Sequence, residues 1–145
     1  MMILQPKKLA PTYIAYTDSG YHICRNEGAY AFILLKDGEI IRKEASVFRH
    51  ESNNRGELHA IIAAIEALPD GADVEIRTDS QYAANTLTGE WLQRRNTDLF
   101  ARWHELVRGK KLKVSVVKIR AHSGDVYNEM CDDLCCETAD IIMRD

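Results

Sequence analysis

The sequence predicts an α/β fold: a five-stranded mixed sheet, built from three antiparallel strands and then βαβ units, with helices packed on it. Three observations carry this expectation. Lys36-Asp37-Gly38 joins two strand-like apolar runs, and Asp-Gly between such runs is a strong hairpin signal. Leu58, Ile61, Ile62, Ile65 and Leu68 recur at helical spacing, an apolar stripe along one helix face. Beyond that helix, strand-like and helix-like segments alternate, as parallel strands joined by crossover helices do.

In chain order, Thr12–Thr17 alternates Ile14 and Tyr16 with smaller residues and is stopped by Asp18-Ser19-Gly20, which predicts a strand and then a turn. Tyr30–Leu35 and Glu39–Phe48 are the second and third strands. Ser52 offers a helix N-cap, and the helix ends near Pro69-Asp70-Gly71. Glu57 falls in its first turns, off the centre of the stripe, where it can look out along the sheet surface. Val74, Ile76 and Thr78 alternate with polar residues in a fourth strand that ends abruptly at Asp79-Ser80-Gln81. A short helix from about Ser80 to Leu87 follows, then a break at Thr88-Gly89 and a helix from about Thr97 to Arg108. Leu112–Ile119, rich in valine, reads as the fifth strand. After the loop Arg120–Asp125, a last helix carries Tyr127, Met130, Cys131, Leu134 and Ile141.

One domain over residues 1–145, with its core at about 12–140, is the natural reading of a chain of 145 residues. Hydrophobic residues make up 46% and charged residues 28%, the balance of a soluble globular protein. No apolar run reaches membrane-spanning length, and Lys7 and Lys8 follow the apolar residues of Met1–Pro11 instead of preceding them, so a cytoplasmic location without membrane contact is expected. Neither GxGxxG nor GxxxxGK[ST] occurs, which leaves a nucleotide cofactor unsupported. Cys131, Cys135 and Cys136 crowd one predicted helix and Cys24 stands apart. Neighbours on a helix make poor disulfides and no Cys-x-x-Cys pair exists for zinc, so the thiols are expected to be buried small side chains.

A net charge of −3 argues mildly against nucleic acid, but the distribution argues the other way. From Trp91 to His122 there are nine Lys and Arg against Asp98 and Glu105, and from Ser123 to Asp145 seven acids against Arg144. This suits a phosphate-binding face beside an acidic pocket, although a solvated helix face is also Lys/Arg-rich.

The acids repay attention to position. Asp18 ends the first strand, Glu57 opens the first helix, Asp79 ends the fourth strand and Asp132 lies early in the last helix. The carboxyl end of a strand just before a helix is where open α/β sheets place ligand chemistry, although Asp-Ser there is also a plain N-cap. If the first and fourth strands are parallel neighbours, Asp18 and Asp79 meet at one end of the sheet, and the two helices can bring in Glu57 and Asp132. Four carboxylates so gathered repel one another, and cations make the arrangement tolerable. Oxygen-only ligands select Mg²⁺ or Mn²⁺. Two such ions about 4 Å apart can activate water and stabilise the leaving oxygen of a phosphodiester. Spacing alone does not choose these four among the 22 acids.

Tyr16-Thr17-Asp18, Ser52-Asn53-Asn54-Arg55-Gly56-Glu57-Leu58, Thr78-Asp79-Ser80-Gln81-Tyr82 and Ala121-His122-Ser123-Gly124, followed by Asn128-Glu129-Met130-Cys131-Asp132, resemble the type 1 ribonuclease H family in order and spacing, from Tyr13 to Ala139. The resemblance implies a ribonuclease H-like fold and a metal-dependent endonuclease that cuts the RNA strand of RNA–DNA hybrids, leaving 3′-hydroxyl and 5′-phosphate ends. It implies that Asp18, Glu57, Asp79 and Asp132 are the metal-binding carboxylates for two Mg²⁺ ions, with Mn²⁺ as the other candidate. His122 matches the family's mobile-loop histidine, thought to assist proton transfer or product release, and its ordinary pKa of about 6.5 suits that. Asn53, Asn54 and Gln81 match residues that hydrogen-bond base edges and 2′-hydroxyls in the minor groove; an amide offers both donor and acceptor. Helix capping is the bland alternative for Asn53-Asn54. Ser52 and Asn96 resemble the pocket that grips a DNA-strand phosphate, with His50 where cellular members often have Arg. The remaining histidines (His22, His50, His59, His104) match no role and are expected at the surface, and Trp91 and Trp103 are expected in the core or an interface.

Two departures stand out. The loop after Asp18 lacks the family's usual Gly-Ser or Gly-Gly and Asn-Pro-Gly, and only Leu-Gln-Arg-Arg lies between Trp91 and Asn96, too short for the extra helix and basic handle of many cellular members. Arg94 and Arg95 are the candidates to replace the handle, and more salt-sensitive binding is expected. A monomer is expected. Two other readings stay open: a non-catalytic hybrid-binding module, although every carboxylate position is filled, and another nuclease of the same superfamily.

Overall fold

A computed structural model of the chain describes residues 11–121 and 123–143. The first ten residues, His122 and the side chain of Ile141 lie outside that description. Among the described residues, β1 (Tyr13–His22), β2 (Glu27–Lys36), β3 (Glu39–Arg49), β4 (Asp73–Thr78) and β5 (Lys113–Lys118) form one sheet in the order β3-β2-β1-β4-β5. The helices are α1 (Asn53–Glu66), α2 (Gln81–Leu87), α3 (Thr97–Gly109) and α4 (Val126–Met143). β1, β2 and β3 pair antiparallel, whereas β1, β4 and β5 run parallel. This is the mixed α/β arrangement that the hairpin signal and the alternating segments predict. The β2–β3 turn has Asp37 at φ 51° and Gly38 at φ 82°, both left-handed, as the tight hairpin turn matched to strand twist requires.

One boundary differs from the sequence reading. Asp18-Ser19-Gly20 does not stop β1, which continues to His22, and β2 starts at Glu27 instead of Tyr30. What ends near Asp18 is the parallel neighbour: Thr17 opposite Thr78 is the last β1–β4 pair, while β1 and β2 stay paired to His22 opposite Glu27. Gly20 thus lies within the strand and not in a turn, and the close backbone approach is at Gly28 across from it. A Cβ on Gly28 would run into the Gly20 carbonyl, so the extended hairpin needs glycine there.

Strand alternation splits the core between the two faces of the sheet. On one, Ala15, Phe32, Leu34, Val74 and Ile76 meet the α1 stripe and Phe100 and Trp103 of α3. Leu58, Ile61, Ile62, Ile65 and Leu68 are all buried. At roughly 1.5–3 kcal/mol for each fully buried aliphatic side chain, this one face contributes about as much as a domain's net stability. On the other face Tyr16, Ala31, Ile33 and Leu35 meet Cys131 and Cys135 of α4. Lys110, from the basic stretch, is spent internally: its ammonium donates to the Glu66 and Leu68 carbonyls at 2.6 and 2.7 Å, closing the end of α1.

Several side chains sit elsewhere than expected. Cys131 and Cys135 are buried, but Cys24 and Cys136 are exposed. Trp103 is in the core, whereas Trp91 is 46% exposed. His22, His50 and His104 are at the surface, but His59 is half-buried, its ring 5.6 Å from that of Tyr30 and its Nε2 2.7 Å from Glu51 Oε1.

Candidate active site

The β1–β4 register makes the site. Asp18 and Asp79 each follow the last parallel pair, Thr17 and Thr78, so the two carboxylates leave adjacent strands side by side. Asp18 is 5% exposed, and its Oδ1 accepts the Ser19 N–H at 2.9 Å. Asp79 is half-buried where the chain bends into α2, whose first turn is capped by Ser80 through the Ala83 N–H. Glu57 arrives from α1. It does not look out along the sheet surface as its place on the helix suggested, but is 5% exposed. Gly56 lets the helix come that close: a Cβ there would run into the Phe48 ring and, nearly as near, the Ser19 hydroxyl at 2.5 Å. Oxygens of Asp18, Glu57 and Asp79 all lie within 4.8 Å of one another. Asp132, half-buried on α4, stands outside that trio but is near enough for its charge to raise the Asp18 pKa.

The electrostatics follow from this crowding. Burial first, and then the charges of Asp79 and Asp132, push Asp18 up to about 8, with the Ser19 amide opposing. Burial, then Asp18 and Asp79, raises Glu57 well above the usual carboxylate range. Glu57 Oε2 is buried with no hydrogen-bond partner. A buried acceptor so placed, in a set that offers only carboxylate oxygens, fits a hard divalent cation.

Two residues that bring Asp132 into place escaped the sequence reading. The Cys131 thiol donates to the Ala31 carbonyl at 3.3 Å and the Cys135 thiol to the Asp18 carbonyl at 3.4 Å. Burial raises both thiol pKa values, so they stay protonated donors. Their i, i+4 spacing either side of Asp132 was the available signal.

The RNase H family model matches residues 10–140. The chain belongs to the RNase H family. Among its relatives, the ribonuclease H of Clostridium botulinum is 31% identical over 147 residues, spanning 88% of this chain and 95% of that protein. The ribonuclease H of Desulforamulus reducens is 33% identical over 139 residues, spanning 86% and 85%. Among solved structures, RNase H1 from the halophilic archaeon Halobacterium salinarum is 30% identical with a TM-score of 0.74, covering 89% of this chain and 98% of that one. LC11-RNase H1 in complex with an RNA/DNA hybrid gives a TM-score of 0.79 at 21% identity, covering 90% and 99%, a likeness of fold. This RNase H is accordingly an enzyme, a metal-dependent nuclease.

Around the RNase H carboxylates, Asn53 and Asn54 are the first residues of α1 and Gln81 is the first of α2, all three exposed. Each therefore stands at a helix N-terminus, where backbone N–H groups already favour anions. The Ser52 hydroxyl caps α1, accepting the Arg55 N–H at 3.2 Å. Asn96 is half-buried at φ 57°, its Nδ2 donating to the Tyr82 hydroxyl at 2.8 Å. Arg55, quoted in the sequence only as part of a motif, joins these pieces. It donates twice to Asp98, at 2.9 and 2.8 Å, once to Glu51 at 2.7 Å, and to Asn96 Oδ1 at 3.4 Å. Its guanidinium holds the Asp98 carboxyl well below the usual range. The start of α1 and the approach to α3 are thus fastened together beside the carboxylates.

Proposed function

We propose that this RNase H is an endoribonuclease that hydrolyses the RNA strand of RNA–DNA hybrids with two divalent ions, leaving 3′-hydroxyl and 5′-phosphate ends. The observation that carries the reading is the convergence of Asp18, Glu57 and Asp79 within 4.8 Å, with Asp132 close enough to raise the Asp18 pKa. Mg²⁺ is the proposed ion and Mn²⁺ its substitute, since both take oxygen ligands. When bound, such ions supply Lewis acidity and lower the pKa of water.

Everything else falls to the chain. Asp18, Glu57, Asp79 and Asp132 hold the ions. They do so as carboxylates, so binding releases the protons that burial otherwise retains. Asn53, Asn54 and Gln81 read minor-groove edges and the 2′-hydroxyl, the group that separates RNA from DNA. Ser52 and Asn96, braced by Arg55, face a phosphate of the DNA strand. His122 takes up or returns a proton near the leaving oxygen. Four free thiols suit a reducing compartment, and the cytoplasm is the proposed location, with the enzyme acting as a monomer.

The deciding experiment offers labelled hybrid, duplex DNA, duplex RNA and a four-way junction to the protein and to Asp79→Asn. We expect Mg²⁺-dependent cleavage of the hybrid's RNA strand alone, lost by at least about 100-fold in Asp79→Asn while hybrid binding is retained. Equal cleavage by both proteins removes Asp79 from the site; a preference for junctions or DNA points to another nuclease activity.

A further inference from the structure

We propose that Tyr16, Arg77 and Asp125 form a positioning clamp that sets the rotation of α4 about its axis and thereby aims Asp132 at Asp18; this rests on the reading of the four carboxylates above. Tyr16 and Arg77 are register partners on the parallel strands β1 and β4, each two residues before a carboxylate of the site. Strand periodicity puts Tyr16 on the same sheet face as Asp18, and that face is the one α4 covers.

The buried Tyr16 hydroxyl is used twice. It accepts from Arg77 Nη1 at 2.7 Å and donates to Asp125 Oδ2 at 2.9 Å. Arg77 is itself fixed by Glu75, which accepts from its Nε at 2.7 Å, and its guanidinium lies 5.4 Å from the centre of the Tyr16 ring. The other oxygen of Asp125 accepts the N–H groups of Tyr127 and Asn128, at 3.0 and 3.4 Å, so the same carboxylate caps the first turn of α4. The Tyr127 ring then packs 5.5 Å from that of Tyr16.

A cap alone would start the helix without orienting it. Because the capping carboxylate is also tied to β1, the start of α4 is held in azimuth. Asp125 and Asp132 are seven residues apart, two turns along nearly one line of the helix. At about 5–6 Å from the axis, a rotation of roughly 10° moves a carboxylate by about 1 Å. A displacement of that size is enough to spoil a reacting geometry.

The test uses the full chain with two variants. Tyr16→Phe keeps the ring and deletes the hydroxyl. Asp125→Ser keeps a good N-cap but is too short to reach Tyr16. Three quantities are measured: the melting temperature of the metal-free protein, Mn²⁺ binding by calorimetry, and the Mg²⁺ concentration for half-maximal cleavage of a hybrid. We expect both variants to bind Mn²⁺ about tenfold more weakly and to need correspondingly more Mg²⁺, while hybrid affinity in EDTA changes by less than about twofold and melting falls by a few degrees. Unchanged Mn²⁺ affinity, whatever the melting temperature does, overturns the clamp and leaves these residues a purely structural role. If Tyr16→Phe does not fold, Asp125→Ser decides by the same criterion. Failure of the unmutated protein to bind Mn²⁺ overturns the carboxylate reading itself, and the clamp with it.

Discussion

Asp18 is held in a position that its own charge opposes. Buried beside Asp79 and Asp132, it titrates near 8 in the folded chain against 3.8 ordinarily, and Glu57 is raised in the same direction. Between about pH 4 and 8 the metal-free folded protein therefore holds protons that the unfolded chain has released, and its stability falls as pH rises through that window. We expect the melting temperature of metal-free protein to drop between pH 5 and pH 8, and Mg²⁺ to recover most of the loss at pH 8. Asp18→Asn, which removes the charge and keeps the shape, should raise metal-free stability at pH 8 by at least about 1 kcal/mol, the equivalent of one pKa unit of repulsion. Calorimetry across pH checks both; an Asn variant that melts lower at pH 8 contradicts the account. Asp79 was legible as the end of a periodic strand segment, whereas Asp18, Glu57 and Asp132 were singled out by the motifs that resemble the family, since they lie inside β1, α1 and α4. The burial of Glu57 was not legible, because it depends on Gly56, whose missing side chain leaves no hydrophobic pattern to read. Cys135 escaped for a similar reason: a thiol that donates to the Asp18 carbonyl looks, in sequence, like any small core residue.

Among the elements, α1 shows how closely a helix can be fitted to its site. Ser52 caps it, Gly56 lets it approach β1 and β3, and Lys110 closes its far end. Gly56→Ala adds a methyl group where the Phe48 ring and Ser19 hydroxyl already stand. We expect a cost of about 1–3 kcal/mol together with an outward shift of Glu57, seen as a reduced kcat and a weaker response of the melting temperature to Mg²⁺. A variant with unaltered melting and kcat would show that the contact relaxes freely. The helices and the β2–β3 hairpin could be read from their spacing and turn residues, because those signals are local. The extension of β1 and β2 past Asp18 could not. It depends on which neighbour each strand has, and Asp18-Ser19-Gly20 looks like a turn until β2 is seen alongside it.

For the molecule as a whole, the question is how a chain of net charge −3 meets a polyanion. Asp18, Glu57 and Asp79 are gathered where a cation would neutralise them, while Arg94 and Arg95 are exposed next to Asn96. We expect hybrid affinity to fall steeply with salt, and Arg94→Ala with Arg95→Ala to reduce the slope of log K against log salt by about two. Titration at four or five salt concentrations measures this; an unchanged slope takes both arginines off the phosphate path. A cavity of about 270 Å³ does lie between α1 and strands β2 and β3, lined by Tyr30, Phe32, Arg42 and Ser46 among others, but none of the four carboxylates lines it.

The strand order β3-β2-β1-β4-β5 has a temporal consequence. Its middle strand is made first, yet one of its partners, β4, comes some sixty residues later, and α4 docks on it last of all. Residues 18, 57, 79 and 132 leave the ribosome in that order, so the trio of carboxylates can gather only after β4 has been made, and Asp132 joins it last, with α4.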